Sequence, residues 1–358
     1  MSDSVYKQLA DRLNRIPNGF PATQSGVELR LLARLFAPEE AALASVMNQE
    51  GEPASRIAAR AGASADTARA EERLGEMSDK GLIWRSNTGD QALFGLMPFV
   101  VGIYESQLPR LDAETAALFE QYFLETRGIV AANGPAVHRV IPVEQAIPVR
   151  VQIESYESAT QMLANAKSWA VRDCICRVQQ RLIGKGCDRP SDNCLSFAPV
   201  EGAFQAGGAS RPISLDEAMR ILYEAEEAGL VHSVANTRDE VFYICNCCTC
   251  CCGVLRALAE FGQPAAVTRS AFQAAVDPEV CVGCGKCAAR CQFEALSKTL
   301  GITSVDPVRC VGCGLCVSAC PTDAIRLDRL PAGETPLLPA GMADWQAERA
   351  RQRGLPPG

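Results

Sequence analysis

CVGCGKCAARC at residues 281–291 and CVGCGLCVSAC at residues 310–320 are two copies of one pattern. Each copy follows a Val-Asp-Pro triplet and has an alanine four residues after its last cysteine, and every repeated position is offset by 29 residues. Both copies space their cysteines as C-x2-C-x2-C-x3-C. The repeat predicts two similar halves that fold together as one module.

This spacing has a geometric reason. A cubane iron–sulfur cluster offers four iron atoms close together, so several thiolates must reach it from one tight loop. Gly283 and Gly285, with their counterparts in the second copy, allow the loop to turn and direct backbone N–H groups toward the cluster. Structural zinc normally uses two C-x2-C pairs a dozen or more residues apart. The pattern therefore favours iron–sulfur clusters over zinc.

The segment from Val276 to Leu330 resembles the bacterial-type dicluster ferredoxins. Pro321 follows the last cysteine of the second copy, whereas Gln292 stands at the matching place in the first. In that family the fourth cysteine of each run binds the cluster of the other run. The resemblance implies two 4Fe-4S clusters, one bound by Cys281, Cys284, Cys287 and Cys320, and the other by Cys310, Cys313, Cys316 and Cys291.

Composition restricts the class of protein. A chain of 358 residues has room for two or three domains, and its net charge of -7 argues against a general nucleic-acid binder. The N-terminus has no apolar signal core, and several of the 18 cysteines are adjacent, so metal-bound thiolates in a reducing cytoplasm are expected rather than disulfides. The longest uncharged apolar run, residues 92–104, is too short to span a bilayer. We expect a soluble, cytoplasmic protein.

The first 104 residues predict a winged helix. Helical patterns cover residues 27–36, 38–47, 55–61 and 64–80, with Ser64 as a cap, and a hairpin turns at residues 87–90. The helix in the recognition position has more acidic than basic residues, which would repel phosphate. We expect this domain to dock a protein partner rather than DNA.

Residues 105–270 predict a cysteine-rich α+β domain. Its expected elements are a helix at 114–127, an extended connection at 128–148, a strand at 149–153, helices at 156–171 and 215–228, and a hairpin at 230–245. Leu118, Tyr122 and Leu124 are the expected packing residues of the first helix. Ser214 and Glu217 form a capping box at the start of the last helix.

Ten cysteines of this domain are candidate metal ligands: Cys174, Cys176, Cys187, Cys194, Cys245, Cys247, Cys248, Cys250, Cys251 and Cys252. Arg172 and Arg177 beside the first two would favour thiolates, and the last cysteines stand at the start of a predicted helix. One or two further iron–sulfur clusters, or zinc, would account for such density. We favour at least one additional cluster over zinc alone.

The whole chain resembles multi-cluster ferredoxin-like proteins of anaerobes, which place a winged helix first. Cys174-Ile175-Cys176-Arg177 and the run from Cys245 to Cys252 carry that resemblance. It implies an α+β multidomain electron carrier with domains at 1–104, 105–270 and 271–330 and a tail at 331–358. No acid, base or nucleophile constellation is evident, so a carrier or oxidoreductase subunit serving a redox partner is expected rather than an independent enzyme. The alternatives are a cluster-dependent transcription regulator and a reductase whose cysteine-rich site binds substrate.

Overall fold

The computed structural model describes residues 2–62, 67–89, 91–128, 133–148, 151–205 and 210–355. The chain has a mixed α/β fold and divides into two compact units. The first unit comprises residues 1–130, 179–185 and 349–358, and the second comprises residues 131–178 and 186–348. In the described part of the chain, no helix has both the length and the apolar character that crossing a membrane requires.

The first unit begins with five helices and a small sheet. The helices are α1 Ser2–Arg15, α2 Val27–Leu35, α3 Pro38–Ser45, α4 Ala54–Arg60 and α5 Thr67–Asp79. The strands are β1 Glu52–Pro53, β2 Ile83–Thr88 and β3 Gln91–Leu96, in the order β1-β3-β2. Pro38 starts α3 because its fixed φ angle suits the first turn of a helix.

Helices α2 to α5 and the β2–β3 hairpin lie close to the positions that the sequence predicts. The predicted cap Ser64 and the turn residue Asp90 lie outside the described residues. Sequence analysis did not predict α1, although its buried Leu9 and Leu13 have helical spacing. That these elements form a winged helix stays a prediction.

A second group of elements in the first unit follows the small sheet. It contains α6 Tyr104–Ser106, a 3-10 turn at Leu108–Arg110 and α7 Ala113–Thr126. Asp112 caps α7 by accepting a hydrogen bond of 2.8 Å from the Thr115 amide. Tyr122 is fully buried against Phe20, with ring centroids 4.8 Å apart, whereas Leu124 is 43% exposed. Leu124 is therefore not the packing residue that the sequence predicts.

The second unit is built on a seven-stranded sheet. Its strands are β4 His138–Ile141, β5 Ser168–Asp173, β6 Asp192–Ala198, β7 Arg211–Ile213, β8 Val231–Ala235, β9 Tyr243–Cys247 and β10 Val267–Thr268, in the order β10-β4-β8-β9-β6-β5-β7. Its helices are α8 Ala159–Ala164, α9 Ile175–Leu182, α10 Leu215–Glu227 and α11 Gly253–Phe261, with 3-10 turns at Glu144–Ala146 and Ser155–Glu157. Among the described strands of this sheet, only β10 and β4 pair in parallel.

The two faces of this sheet bury different partners. Ile141 and Ile244 pack on the face that α8 and α10 cover. Val140 and Cys247 pack on the opposite face, against Leu255 of α11 and the C-terminal module. Because alternate residues of a strand point to opposite faces, Cys245 and Cys247 of β9 share the face toward the C-terminal module.

Helix α10 and the hairpin β8–β9 lie where the sequence predicts, and Ser214 caps α10 through the Glu217 amide. Three other predictions differ from the structure. The supposed connection at 128–148 contains β4, an inner strand between β10 and β8. The helix predicted at 156–171 ends as α8 at Ala164, because the chain from Lys167 onward pairs with β6. Of the strand predicted at 149–153, residues 151–153 are not in a strand, and residue 149 lies outside the described residues.

The C-terminal module follows the sequence repeat. Its elements are β11 Phe272–Val276, α12 Lys286–Arg290, β12 Leu296–Thr299, β13 Ile302–Val305, α13 Leu315–Ser318 and β14 Ile325–Arg329. Strand β11 pairs antiparallel with β14, and β12 pairs antiparallel with β13. The tail contains α14 Met342–Gln352, in which Trp345 is buried.

Candidate metal centres

The two halves of the C-terminal module repeat their hydrogen bonds as well as their sequence. The Asp277 amide donates to the carbonyl of Ala324 at 2.8 Å, and the Asp306 amide donates to that of Ala295 at 2.7 Å. Each bond joins the start of one half to the end of the other. The pairing places the fourth cysteine of each run beside the opposite loop.

One set of cysteines surrounds a small cavity. Its lining includes Cys281, Cys284, Cys287 and Cys320, with Thr303 and Thr322. We call these four cysteines the first set. The Thr303 amide donates to the Cys281 sulfur at 3.5 Å and lowers the pKa of that thiol, which favours its thiolate. The structure thus brings Cys320 to the three cysteines of the other run.

The second set comprises Cys291, Cys310, Cys313 and Cys316. Burial, with the nearby thiols of Cys291 and Cys310, raises the pKa of Cys313 to about 12. Burial and the thiols of Cys313, Cys310 and Cys291 also raise the pKa of Cys316. Cys291 therefore lies with the run that it does not belong to in sequence. The Ala295 amide donates to its sulfur at 3.4 Å.

Two glycines permit the close approach of the cysteine loops to their neighbours. Gly283 has a φ angle of +61°, and a Cβ atom there would lie 1.9 Å from the carbonyl oxygen of Gly301. Gly312 has a φ angle of +70°, and a Cβ atom there would lie 2.1 Å from the carbonyl oxygen of Phe272. A larger residue at either position would displace backbone. This is why both copies carry glycine there.

The two sets differ in exposure although their sequences match. Val282 is 65% exposed, whereas Val311 at the equivalent position is 6% exposed. Cys284 is exposed, whereas Cys313 is half-buried. The first cysteine loop therefore faces solvent, whereas the second loop packs against the rest of the second unit, where the Val143 amide donates to the Cys313 carbonyl.

Six of the ten central cysteines form a second kind of group. Thiol–thiol contacts connect them in the order Cys174–Cys176–Cys252–Cys247–Cys245–Cys194. We call them the six-thiol group. They come from the end of β5, the first turn of α9, strand β6, strand β9 and the N-cap of α11. The thiols of Cys194 and Cys247, together with burial, raise the pKa of Cys245.

The other four central cysteines lie much closer together. Cys187, Cys248, Cys250 and Cys251 have sulfur atoms that all lie within 4.8 Å of one another, and we call them the four-thiol group. A tight turn presents three of them, because the Cys251 amide donates to the Cys248 carbonyl at 3.3 Å. Sequence analysis predicted all ten as ligands but did not divide them.

Arg177 lies between the two central groups. Its guanidinium is fully buried, donates to the Asn193 side chain at 3.0 Å, and also donates to the backbone carbonyl of Asn246. Burial lowers the pKa of Arg177, but the nearby thiols of Cys174 and Cys248 raise it, and the net shift is upward. The Cys176 thiol and burial raise the pKa of the Cys174 thiol well above its ordinary value, although Arg177 lowers it as predicted, so the predicted preference of Cys174 for the thiolate is not found.

His232 is not a metal ligand in this arrangement. It is 1% exposed, its Nδ1 lies 2.6 Å from the side-chain oxygen of Asn246, and its Nε2 lies 3.2 Å from Glu226. Both ring nitrogens therefore have polar partners. The histidine orients Asn246, which stands between Cys245 and Cys247.

Gln292 connects the C-terminal module to the cysteine-rich turn. Its side-chain oxygen accepts from the Thr249 amide at 2.8 Å, and its side-chain nitrogen donates to the carbonyls of Cys247, at 3.4 Å, and Gly229. Proline, which follows the last cysteine of the second copy, could make none of these bonds. The departure from the repeat at residue 292 is the sequence signal for this contact, which was not predicted.

Comparison with known families identifies one of these regions. Residues 274–327 match the family model of the 4Fe-4S dicluster domain, and the matched segment contains all eight cysteines of the first and second sets. The C-terminal region of the chain therefore carries a 4Fe-4S dicluster domain, as the sequence predicts. The comparisons with curated proteins and with solved structures gave no match. The ten central cysteines lie outside the matched segment.

Proposed function

We propose that the protein transfers electrons to or from a partner oxidoreductase through two 4Fe-4S clusters and a third cluster in the six-thiol group. The observation that carries the proposal is the dicluster domain, whose eight cysteines lie in two sets of four. When bound, each cluster would take up and release single electrons. The residues around the sets suit this role.

Backbone amides supply the hydrogen bonds that an anionic cluster needs. Amide groups of Thr303 and Ala324 donate to the sulfurs of Cys281, at 3.5 Å, and Cys320, at 3.2 Å. Such bonds stabilise thiolate ligands and help to set the reduction potential. Around the second set, buried Val311 and Leu315 exclude water.

The first set provides a face for the redox partner. Val280 and Val282 are exposed beside the exposed Cys284. Exposed apolar side chains next to a redox centre favour docking of a protein surface. We therefore assign the partner's contact to this face.

The six-thiol group is less compact than the four-thiol group. Among the described residues, no three of its sulfurs lie mutually within 4.8 Å, and the same holds for the first and second sets. A cubane binds each thiolate through a different iron, so its ligands stand further apart than those of a single ion. Helices α9 and α11 start at this group, and their N-termini favour the negative charge of a bound cluster.

The contact of Gln292 brings the third site next to the second set. Gln292 follows Cys291 in sequence and bonds to the backbone of Cys247 and Thr249. Electrons could thus pass between the dicluster domain and the six-thiol group within the second unit.

Metal analysis and electron paramagnetic resonance test the proposal. Full-length protein purified without oxygen should bind about twelve irons, and the triple variant Cys176→Ser, Cys247→Ser, Cys252→Ser, which leaves too few thiols for a third cluster, should retain about eight. Voltammetry of the full-length protein should show reversible reduction. Unchanged iron in the triple variant would contradict the third cluster, and the absence of any reversible reduction would contradict electron transfer.

A further inference from the structure

We propose that the four-thiol group binds one zinc ion. The sulfur of Cys187 lies 4.0 Å from that of Cys248 and 3.7 Å from that of Cys251, and the Cys250 and Cys251 sulfurs are 3.8 Å apart. A tetrahedral zinc with Zn–S bonds of about 2.3 Å has sulfur ligands about 3.8 Å apart. The four sulfurs therefore already match the size of one ion.

The dicluster domain provides an internal comparison. Its cysteines belong to a family that binds cubanes, and in the described part of the chain none of them joins a group as close as the four-thiol group. The same chain thus contains cluster-sized sites and one ion-sized site. This comparison favours a single zinc ion over an iron–sulfur cluster at the four-thiol group.

Charge at the site is balanced. A zinc ion with four thiolates carries two negative charges, and two arginines lie near the group. Arg189 donates to the Cys250 sulfur at 3.5 Å, and buried Arg177 lies near Cys248. On the other side, Ala225 and Leu230 pack against Cys248 and Cys251. Four protein ligands leave no open coordination position, as in structural zinc sites.

Zinc at this site would position ligands of the neighbouring group. The turn from Cys248 to Cys251 is bracketed in sequence by Cys247 and Cys252, which both belong to the six-thiol group. Fixing the turn to Cys187 fixes the backbone on which those two cysteines stand. This role deepens the proposed function but does not depend on electron transfer.

Metal content and X-ray absorption test the zinc site. Full-length protein should contain about one zinc per chain, with four sulfur ligands at about 2.3 Å. The variant Cys187→Ser, Cys250→Ser should lose zinc while keeping the irons of the dicluster domain. The control Cys176→Ser, Cys247→Ser, Cys252→Ser, in the six-thiol group, should lose iron and keep zinc.

Three outcomes would overturn this assignment. They are zinc far below one per chain, zinc content unaffected by the Cys187→Ser, Cys250→Ser variant, and a single iron with four sulfur ligands at this position. None of these outcomes bears on the dicluster domain, so failure of the zinc site is distinguishable from failure of electron transfer.

A separate observation carries a second inference. A cavity of about 430 Å³ in the second unit is lined by Arg139, Arg238, Arg269 and Arg329, with Glu157 as the one carboxylate among its lining residues. Glu157 pairs with Arg329 at 2.6 Å. The cavity has the volume of a small-molecule site and an excess of positive charge.

Two of these arginines have unused donors. Arg139 is 3% exposed, and within the described residues its Nη2 atom and the Nε atom of Arg269 have no hydrogen-bond partner. A buried cationic donor without a partner is unfavourable, and an anion would satisfy both its charge and its hydrogen bonds. We infer that the cavity binds a small anion that carries phosphate or carboxylate groups.

Calorimetry with inorganic phosphate, pyrophosphate and succinate tests this site and distinguishes the two kinds of anion. At least one probe should bind saturably, and Arg139→Gln and Arg269→Gln should each weaken that binding at least tenfold. Arg326→Gln is the control, because Arg326 pairs with Asp328 and does not line the cavity. Failure of all three probes to saturate at about 10 mM would overturn the inference, as would equal weakening by the control.

Discussion

Arg177 is a buried cation that serves two thiol groups at once. Its guanidinium is held by Asn193 and by the backbone of Asn246, so its position does not depend on bound metal. Without this charge, thiolates in both groups would be harder to form and to keep. The residue therefore links the two thiol groups electrostatically.

Replacing Arg177 should lower the metal content of both groups. We expect Arg177→Met to reduce zinc and the iron above the eight of the dicluster domain, and Arg177→Lys to retain more of each. Elemental analysis measures both metals in one sample. Arg181→Met, on the same helix, is the control, and a loss that it shares with Arg177→Met would argue for a general effect on folding.

Gly283 allows a backbone approach that no other residue permits. We expect Gly283→Ala to lose the iron of the first set, about four atoms, because a Cβ atom would lie 1.9 Å from the Gly301 carbonyl oxygen. Gly285 also has a positive φ angle, but nothing lies within 4 Å of its Cβ position. Gly285→Ala should therefore cost about 1 kcal/mol of backbone strain and retain the iron. Equal iron in the two variants would show that the close contact is unimportant.

At the scale of elements, the turn between β9 and α11 is fixed from outside by Gln292. Gln292→Ala removes the acceptor of the Thr249 amide, which is bonded at 2.8 Å. We expect hydrogen exchange at Thr249 to become about fivefold faster, since one hydrogen bond is worth about 1 kcal/mol. Gln273→Ala, on β11, serves as the control. Unchanged exchange at Thr249 would mean that the turn is held by other contacts.

The charges on helix α5 predict weak binding of nucleic acid. Glu71 and Glu72 are exposed, and two of its neighbouring cations are already paired, Arg73 with Glu76 at 3.7 Å and Lys80 with Glu40 at 2.6 Å. We expect no affinity for duplex DNA beyond weak, salt-sensitive association. Fluorescence anisotropy with labelled duplexes measures it, and tight sequence-dependent binding would instead favour the transcription regulator.

Elements with a local signal could be predicted from sequence, whereas those that depend on distant partners could not. Ser214 and Glu217 predict the start of α10, and the glycines and cysteines of the repeat predict the dicluster domain. Strand β4 has no local alternation of buried and exposed residues, because all four of its residues are buried between two neighbours. The division of the ten central cysteines depends on the pairing of β6 with β9 and on one turn, which spacing along the chain does not reveal.

At the scale of the whole molecule, His138 makes stability depend on pH. Burial lowers its pKa from 6.5 to about 4. Between these values the unfolded chain binds a proton that the folded protein does not, so the free energy of unfolding should fall as pH falls from 6.5 to 4. The full effect is about 3 kcal/mol.

His138→Phe should remove this dependence while keeping a ring next to Tyr243, whose centroid lies 5.5 Å away. Thermal melts of both proteins at pH 7 and pH 5 measure the difference. Acid sensitivity of the metal centres is common to both and cancels in the comparison. A melting temperature that falls equally in both proteins would show that His138 does not contribute.

A module made of two equal halves has no intrinsic direction, since either half could be the inner one. Gln292 breaks that equivalence: it attaches the backbone beside Cys291, a member of the second set, to the rest of the second unit, whereas the first set keeps Cys284 in solvent next to Val282. A charge carrier arriving from outside would thus meet the two sets in a fixed order. Gln292, which stands where the second copy has proline, therefore gives the duplicated module one inner and one outer set of cysteines.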